Sequence, residues 1–126
     1  MAKLHFSLVS PEAELFSGEA DSVLVPGTEG LFEVQAGHSP LMSTLSPGML
    51  VVRDGGTERK IYVRGGFADV SASGLTVLAE SAVAEDQLRG ETLTGQRAEA
   101  DRVLAADPTP EEALDAERAK AALAAY

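Results

Sequence analysis

Short bursts of alternation run through the first 84 residues: Leu4, Phe6 and Leu8 alternate with Lys3, His5 and Ser7, and Ile61 and Val63 alternate with Lys60, Tyr62 and Arg64. A period of two puts one set of side chains on a buried face, which is the mark of a half-buried β-strand. Turn residues separate the bursts at Ser10-Pro11, Ser17-Gly18, Pro26-Gly27, Ser46-Pro47-Gly48, Asp54-Gly55-Gly56, Gly65-Gly66 and Ser71–Gly74. Punctuation this dense, around Val23–Val25, Met49–Val52 and Leu75–Leu78, predicts an all-β sandwich or barrel. Asp54-Gly55, between Met49–Arg53 and Thr57–Arg64, is the clearest hairpin signal. Gly65-Gly66 predicts a steep turn between strands, and Pro47-Gly48 suits a type II turn.

The pattern changes near Ala84. Beyond Glu85 β-branched residues become scarce, and eleven alanines fall between Ala98 and Tyr126, which favours helix. One helix is expected from about Gln87 to Ala106, burying Leu93, Ala100, Val103 and Leu104, with Asp107-Pro108 ending it. A second begins sharply. Thr109 reads as N-cap, Pro110 as the first helical residue and Glu112 as the partner in a capping box. Its stripe of Ala116, Ala119, Leu123 and Tyr126 is mostly small, so it can pack closely but not strongly. The expected organisation is therefore a β-sandwich over residues 1–84 and a helical hairpin over 85–126, with Ser81–Asp86 as the linker.

Composition narrows the function. A chain of 126 residues, 44% hydrophobic and 24% charged, has room for one core and a modest appendage. It has no cysteine, which removes disulfides, thiol catalysis and cysteine-based zinc sites. No run approaches the roughly 18 apolar residues of a membrane helix, so neither export nor insertion is expected. The formal net charge of −10 repels phosphate backbones and anionic lipid, which disfavours nucleic acid and bilayer surfaces as direct partners. Residues 1–84 hold ten acids and five bases, as do residues 85–126, so the shorter helical part is the more densely negative.

Candidate chemistry is sparse. His5 and His38 are the two histidines, and no zincin, serine-hydrolase, Walker or dinucleotide motif is present. Gly27-Thr28-Glu29-Gly30 lacks the lysine and following helix of a phosphate cradle and reads as a tight strand connection. Glu12, Glu14, Glu19 and Asp21 lack ligand spacing and read as a solvated edge. No catalytic residue, metal or cofactor is expected.

Five blocks, in order, carry a resemblance that covers nearly the whole chain: Pro26–Val34, Gly37–Leu41, Leu45–Gly48, Gly65–Val70 and Leu75–Glu80. They look like the epsilon subunits of bacterial F-type ATP synthases, and Leu8–Glu12 with Leu15–Gly18 is similar to that family's first hairpin. The resemblance implies a ten-stranded N-terminal β-sandwich followed by an antiparallel two-helix hairpin. It also implies a non-catalytic rotor subunit on the cytoplasmic face of the inner membrane, peripheral through its complex, coupling the c-ring to gamma. By position, Glu29, Leu31 and His38 are the residues expected to face the c-ring, and Ser10, Met42 and Ser43 to face gamma. Met42 reads equally well as a core side chain. Where Leu31 stands the family often has an acid.

Leu114–Ala119 resembles the nucleotide-binding motif of some epsilon tails, but in those relatives the motif opens the first tail helix, a place held here by Gln87 and Gly90. Asp115 and Arg118 are therefore expected to form an ordinary surface ion pair rather than a nucleotide site. With Arg118 and Lys120 as the bases of its second helix, the hairpin is expected to reach the alpha/beta catalytic head weakly and regulate hydrolysis little. A free-standing sandwich adaptor and a small nucleotide-handling enzyme built on Asp115 and Arg118 are the rival readings.

Overall fold

In β1 (Leu4–Val9) the alternation buries Leu4, Phe6 and Leu8 and leaves Lys3 and His5 outside. A computed structural model describes residues 3–12 and 14–126. Seven more strands follow: β2 (Glu14–Ala20), β3 (Ser22–Gly27), β4 (Gly30–Val34), β5 (Leu41–Thr44), β6 (Gly48–Asp54), β7 (Thr57–Ser71) and β8 (Gly74–Ala84). Their pairing runs β2-β1-β8-β7-β6-β3-β4, with β5 on β7, and every pair is antiparallel except β1 with β8.

The sheet folds over on itself because of β7. Its first half pairs with β6 and its second half with β5, on the edge away from β8. Between the halves, Gly65 and Gly66 have φ of +72° and +100°, so the strand kinks without ending. The steep turn expected there is thus a bend inside one continuous strand. Facing layers close on Phe6, Leu8, Leu75 and Val77 from one side and Val23, Val25, Leu50 and Val52 from the other. There are eight strands among the described residues rather than ten. β7 and β8, 15 and 11 residues long, each serve both layers, and dividing each at the kink restores the expected number.

Two turns differ from expectation. The β6–β7 hairpin turns on Gly55-Gly56, both with positive φ, while Asp54 still pairs with Thr57. Gly48 opens β6 rather than completing a type II turn. Glycine is needed there for proximity, since a Cβ would stand 3.0 Å from the Pro26 Cβ.

Ser81–Ala84, expected as linker, completes β8 against Ile61–Arg64, and a short 3-10 turn follows over Glu85–Gln87. Helices α1 (Gly90–Ala105) and α2 (Pro110–Leu123) run antiparallel. The Thr109 capping box forms in full, with Thr109 Oγ1 accepting from the Glu112 N–H at 3.1 Å and Glu112 accepting from the Thr109 N–H at 3.0 Å. Ala100, Ala116, Ala119 and Leu123 pack with Leu88 around Tyr62, against Met49 and Val83. Tyr62 falls on the polar side of its strand by pattern, yet it is fully buried because the hairpin covers that side. Its hydroxyl and the Oε1 of Gln96 are buried without a hydrogen-bond partner.

Candidate docking surface

Residues directly opposite one another in neighbouring strands share a face of the sheet. Leu8, Val77 and Ala68 point inward and are fully buried. The adjacent row, Val9–Leu78–Phe67–Thr44, therefore points outward across β1, β8, β7 and β5. Two positions along lies a second outward row, Ser7–Thr76–Asp69–Met42. Met42 is 65% exposed and Leu78 38% exposed, and Val9 and Phe67 are half-buried beside them. Core placement of Met42 is thereby excluded. Apolar side chains gathered on a stiff face and rimmed by Ser7, Thr76 and Asp69 have the character of a protein-binding surface.

The other gamma-facing candidates separate. Ser10 directly follows Val9 at the edge of this face and is partly exposed. Ser43, opposite buried Ala68, turns the other way: its hydroxyl donates to the Thr44 carbonyl at 3.0 Å and lies beside Gly27.

The β3–β4 connection is a two-residue turn closed by Gly27 and Gly30, with Gly30 at φ +128°. It is sewn to the end of β5. The Thr28 N–H donates to the Thr44 carbonyl at 3.0 Å, the two threonine hydroxyls meet at 2.9 Å, and Gly27 bridges to Leu45. Glu29 stands exposed at the tip, and Leu31, at 70%, is the most exposed large hydrophobic among the described residues. β-Alternation explains why: Phe32 turns toward the core, so Leu31 must face solvent.

His38 is not brought to this turn. It sits in the β4–β5 loop, with its N–H on the Gln35 carbonyl at 3.1 Å and Nδ1 2.6 Å from the Ser39 carbonyl oxygen, lining a small cleft with Lys3, His5 and the Ser71–Gly74 turn.

Asp115 and Arg118 depart most from expectation. Arg118 forms no salt bridge among the described residues; its Nη1 crosses to the sandwich and donates to the Thr28 carbonyl at 3.2 Å and to Ser46 Oγ at 2.8 Å. Asp115 instead lines a cleft of about 360 Å³ between hairpin and sheet, together with Glu80, Glu99, Glu112 and Arg64. Burial, with help from Glu111, pushes its carboxyl above the usual range. Four carboxylates facing one arginine make a poor seat for a triphosphate. The hairpin is also clasped by Lys120 to Asp101 at 3.0 Å, by Arg64 to Glu99 at 3.7 Å, and by Arg97 donating to the carbonyls of Leu123 and Tyr126 at 3.0 and 2.7 Å. The Tyr126 phenol donates to Glu85 and is pushed up to about 12 by that bond. Among the described residues no group of acids and histidines is placed to hold a metal ion, and no helix is long and apolar enough to cross a membrane.

Single-sequence reasoning missed Val9, Phe67 and Leu78, which read simply as strand residues. Cross-strand register, which sequence alone does not supply, is what assembles them with Met42.

Residues 3–85 match the family described as ATP synthase, Delta/Epsilon chain, beta-sandwich domain. An ATP synthase epsilon chain of Caulobacter vibrioides is 60% identical over 83 residues, which is 66% of this chain and 96% of the relative. One from Maricaulis maris is 46% identical over 110 residues, 87% of this chain and 83% of the relative. Among solved structures, a chain of the Euglena gracilis mitochondrial ATP synthase OSCP/F1/c-ring assembly superposes with a TM-score of 0.74 at 24% identity, covering 98% of this chain and 79% of that one. A chain of the Tetrahymena thermophila mitochondrial ATP synthase central stalk and c-ring gives 0.61 at 18% identity, covering 82% and 91%. At such identities these two speak for the fold.

Proposed function

The chain belongs to the ATP synthase delta/epsilon family, and from that premise we propose that it is a non-catalytic central-stalk subunit that docks on gamma and the c-ring together and turns with both. The observation that carries this reading is the outward apolar face of Val9, Leu78, Phe67 and Met42 joined, through the Thr28–Thr44 hydrogen bonds, to the exposed tip at Glu29 and Leu31. A stiff two-layer body with one apolar face and one protruding tip can engage two partners and resist slip between them. The face is assigned to gamma, with Met42 and Ser10 as its contacts. The tip is assigned to the c-ring, with Glu29 and Leu31. Ser43 acts from behind the face, supporting the tip, and His38, at the far end of β4 from the tip, is left out of the ring contact. The complex would hold the chain peripherally at the cytoplasmic face of the inner membrane.

Cysteines placed singly at Met42 and Leu31 and alkylated with a benzophenone maleimide test the assignment by photocrosslinking in the assembled complex, the excited ketone inserting into a C–H bond of whatever lies against it. Gamma should be captured from position 42 and subunit c from position 31. Exchange of these two products, or capture of neither, would remove the assignment.

The docked hairpin favours a further regulatory reading. Its interface combines three small residues, Ala100, Ala116 and Ala119, with Leu88, Leu123 and Tyr62, and it leaves the Tyr62 hydroxyl unpartnered, so the apolar burial given up on release is offset in part by hydration of that hydroxyl. The hairpin thus has the make-up of a two-state element, with weak inhibition of ATP hydrolysis when extended. Deleting residues 108–126 should raise hydrolysis by the assembled enzyme less than about twofold, and a tenfold rise, about 1.4 kcal/mol of bias, would mark it as a strong inhibitor.

A further inference from the structure

Helix α2 is fastened to the sandwich at a point beyond its apolar stripe. The guanidinium of Arg118 serves two acceptors from different segments, the Thr28 carbonyl in the β3–β4 turn and Ser46 Oγ in the β5–β6 connection. Ser46 is 4% exposed, its N–H donates to the Pro26 carbonyl at 2.8 Å, and its hydroxyl faces the Gly27 carbonyl. Thr28 is held from its other side by Thr44. Arg118 therefore stands over the junction of β3, the β3–β4 turn and the β5–β6 connection, and it is the helical residue that ties them to the hairpin. Its acceptors are neutral, so the arginine can return to water without leaving an unpaired carboxylate behind, whereas the Thr28 carbonyl and Ser46 hydroxyl lose a charged donor.

We propose that Arg118 is a positioning latch that joins hairpin docking and the order of the Thr28–Leu31 turn into one two-state element, so that a partner seated on that turn reads the position of α2. Linkage makes the effect reciprocal: occupancy of the turn holds the hairpin down, and hairpin release loosens the turn. The proposal rests on the reading above in one respect, that the partner on the turn is the c-ring.

Hydrogen exchange on the isolated full-length chain tests the latch without any partner. The reporters are the amides of Thr28 and Ser46, both hydrogen-bonded, and those of α2. Leu123→Asp undocks the hairpin from a fully buried position within the helix cluster, away from the turn. It should speed exchange at α2 and, at least fivefold, at Thr28 and Ser46. Arg118→Ala, which leaves the apolar stripe untouched, should speed the turn by itself, and adding Leu123→Asp to it should change the turn less than twofold further. Both bonds leave one nitrogen, Nη1, so Arg118→Lys keeps a cation able to donate to both acceptors and should restore part of the protection that Arg118→Ala loses. A turn that exchanges at the wild-type rate in either Leu123→Asp or Arg118→Ala overturns the latch. Should the core amides of Phe6 and Val77 lose protection in Leu123→Asp, the Arg118→Ala comparison decides alone. Detergent-solubilised c-ring added to the wild-type chain should slow exchange in both the turn and α2. If the isolated chain shows the coupling and the ring leaves the turn unchanged, the ring assignment fails and the latch stands.

Discussion

Gly66 and Leu78 approach so closely across β7 and β8 that a Cβ on Gly66 would lie 1.8 Å from the Leu78 carbonyl oxygen. The offending atom is backbone in the central ladder, and Gly66 also holds φ at +100°, so no side chain can be accommodated by a rotamer change. Gly66→Ala should destabilise the chain by about 2–4 kcal/mol in urea unfolding. Gly95→Ala, in α1 with nothing within 4 Å, should stabilise helix α1 by about 0.5–1 kcal/mol. Equal effects of the two substitutions would contradict the role given to the kink.

Met42→Glu separates docking from folding. At 65% exposure the new carboxylate stays in water in the isolated chain, and the unfolding midpoint should move by no more than about 0.5 kcal/mol. Buried under gamma, the same charge is unpaired and should cost several kcal/mol, read as loss of co-purification with gamma. Loss of the cooperative melt in the isolated variant would mean that the outward face has been misplaced.

The capping box sets a pH dependence. Hydrogen bonds from Thr109 hold the Glu112 carboxyl below its ordinary range. A lowered folded-state pKa gives stability that is complete above the usual glutamate range and is lost as pH falls through the lowered value. Helical circular dichroism near the thermal midpoint of the hairpin should therefore fall with acidification below the glutamate range. In Thr109→Ala the neutral-pH signal should start lower and the acid-dependent drop should shrink, and an undiminished drop would assign it to another group.

Nucleotide should bind poorly. Arg118 is engaged by the sandwich, and the cleft beside Asp115 presents Glu80, Glu99 and Glu112 with Arg64. Titration calorimetry of the full chain with ATP and magnesium should give millimolar or weaker affinity. Micromolar binding abolished by Arg64→Ala would show that the cleft accepts phosphate after all.

Most of the elements were legible locally, apart from Ser81–Ala84, which completes β8, and the Gly65-Gly66 bend inside β7. Alternation in Leu4–Leu8 and Ile61–Val63, the glycine turns and the Thr109-Pro110-Glu112 cap are local signals, because side-chain period, φ preference and capping act within a few residues. Five ordered blocks were enough to mark the family. Tertiary structure decided what those elements meet. Tyr62 reads as a solvent-side residue until the hairpin lands on it, and Val9, Phe67, Leu78 and Met42 become one surface only through register across four strands. Asp115 and Arg118, three residues apart on one helix, look like an ion pair because spacing is all that sequence offers. The folded chain instead presents Arg118 with the carbonyl of half-buried Thr28 in the β3–β4 turn and a buried serine, 90 and 72 residues away. A single Nη1 satisfied by two acceptors prevails over a solvated i,i+3 pair, since exposed ion pairs gain little in water while a buried acceptor such as the Ser46 hydroxyl is costly to leave unpaired.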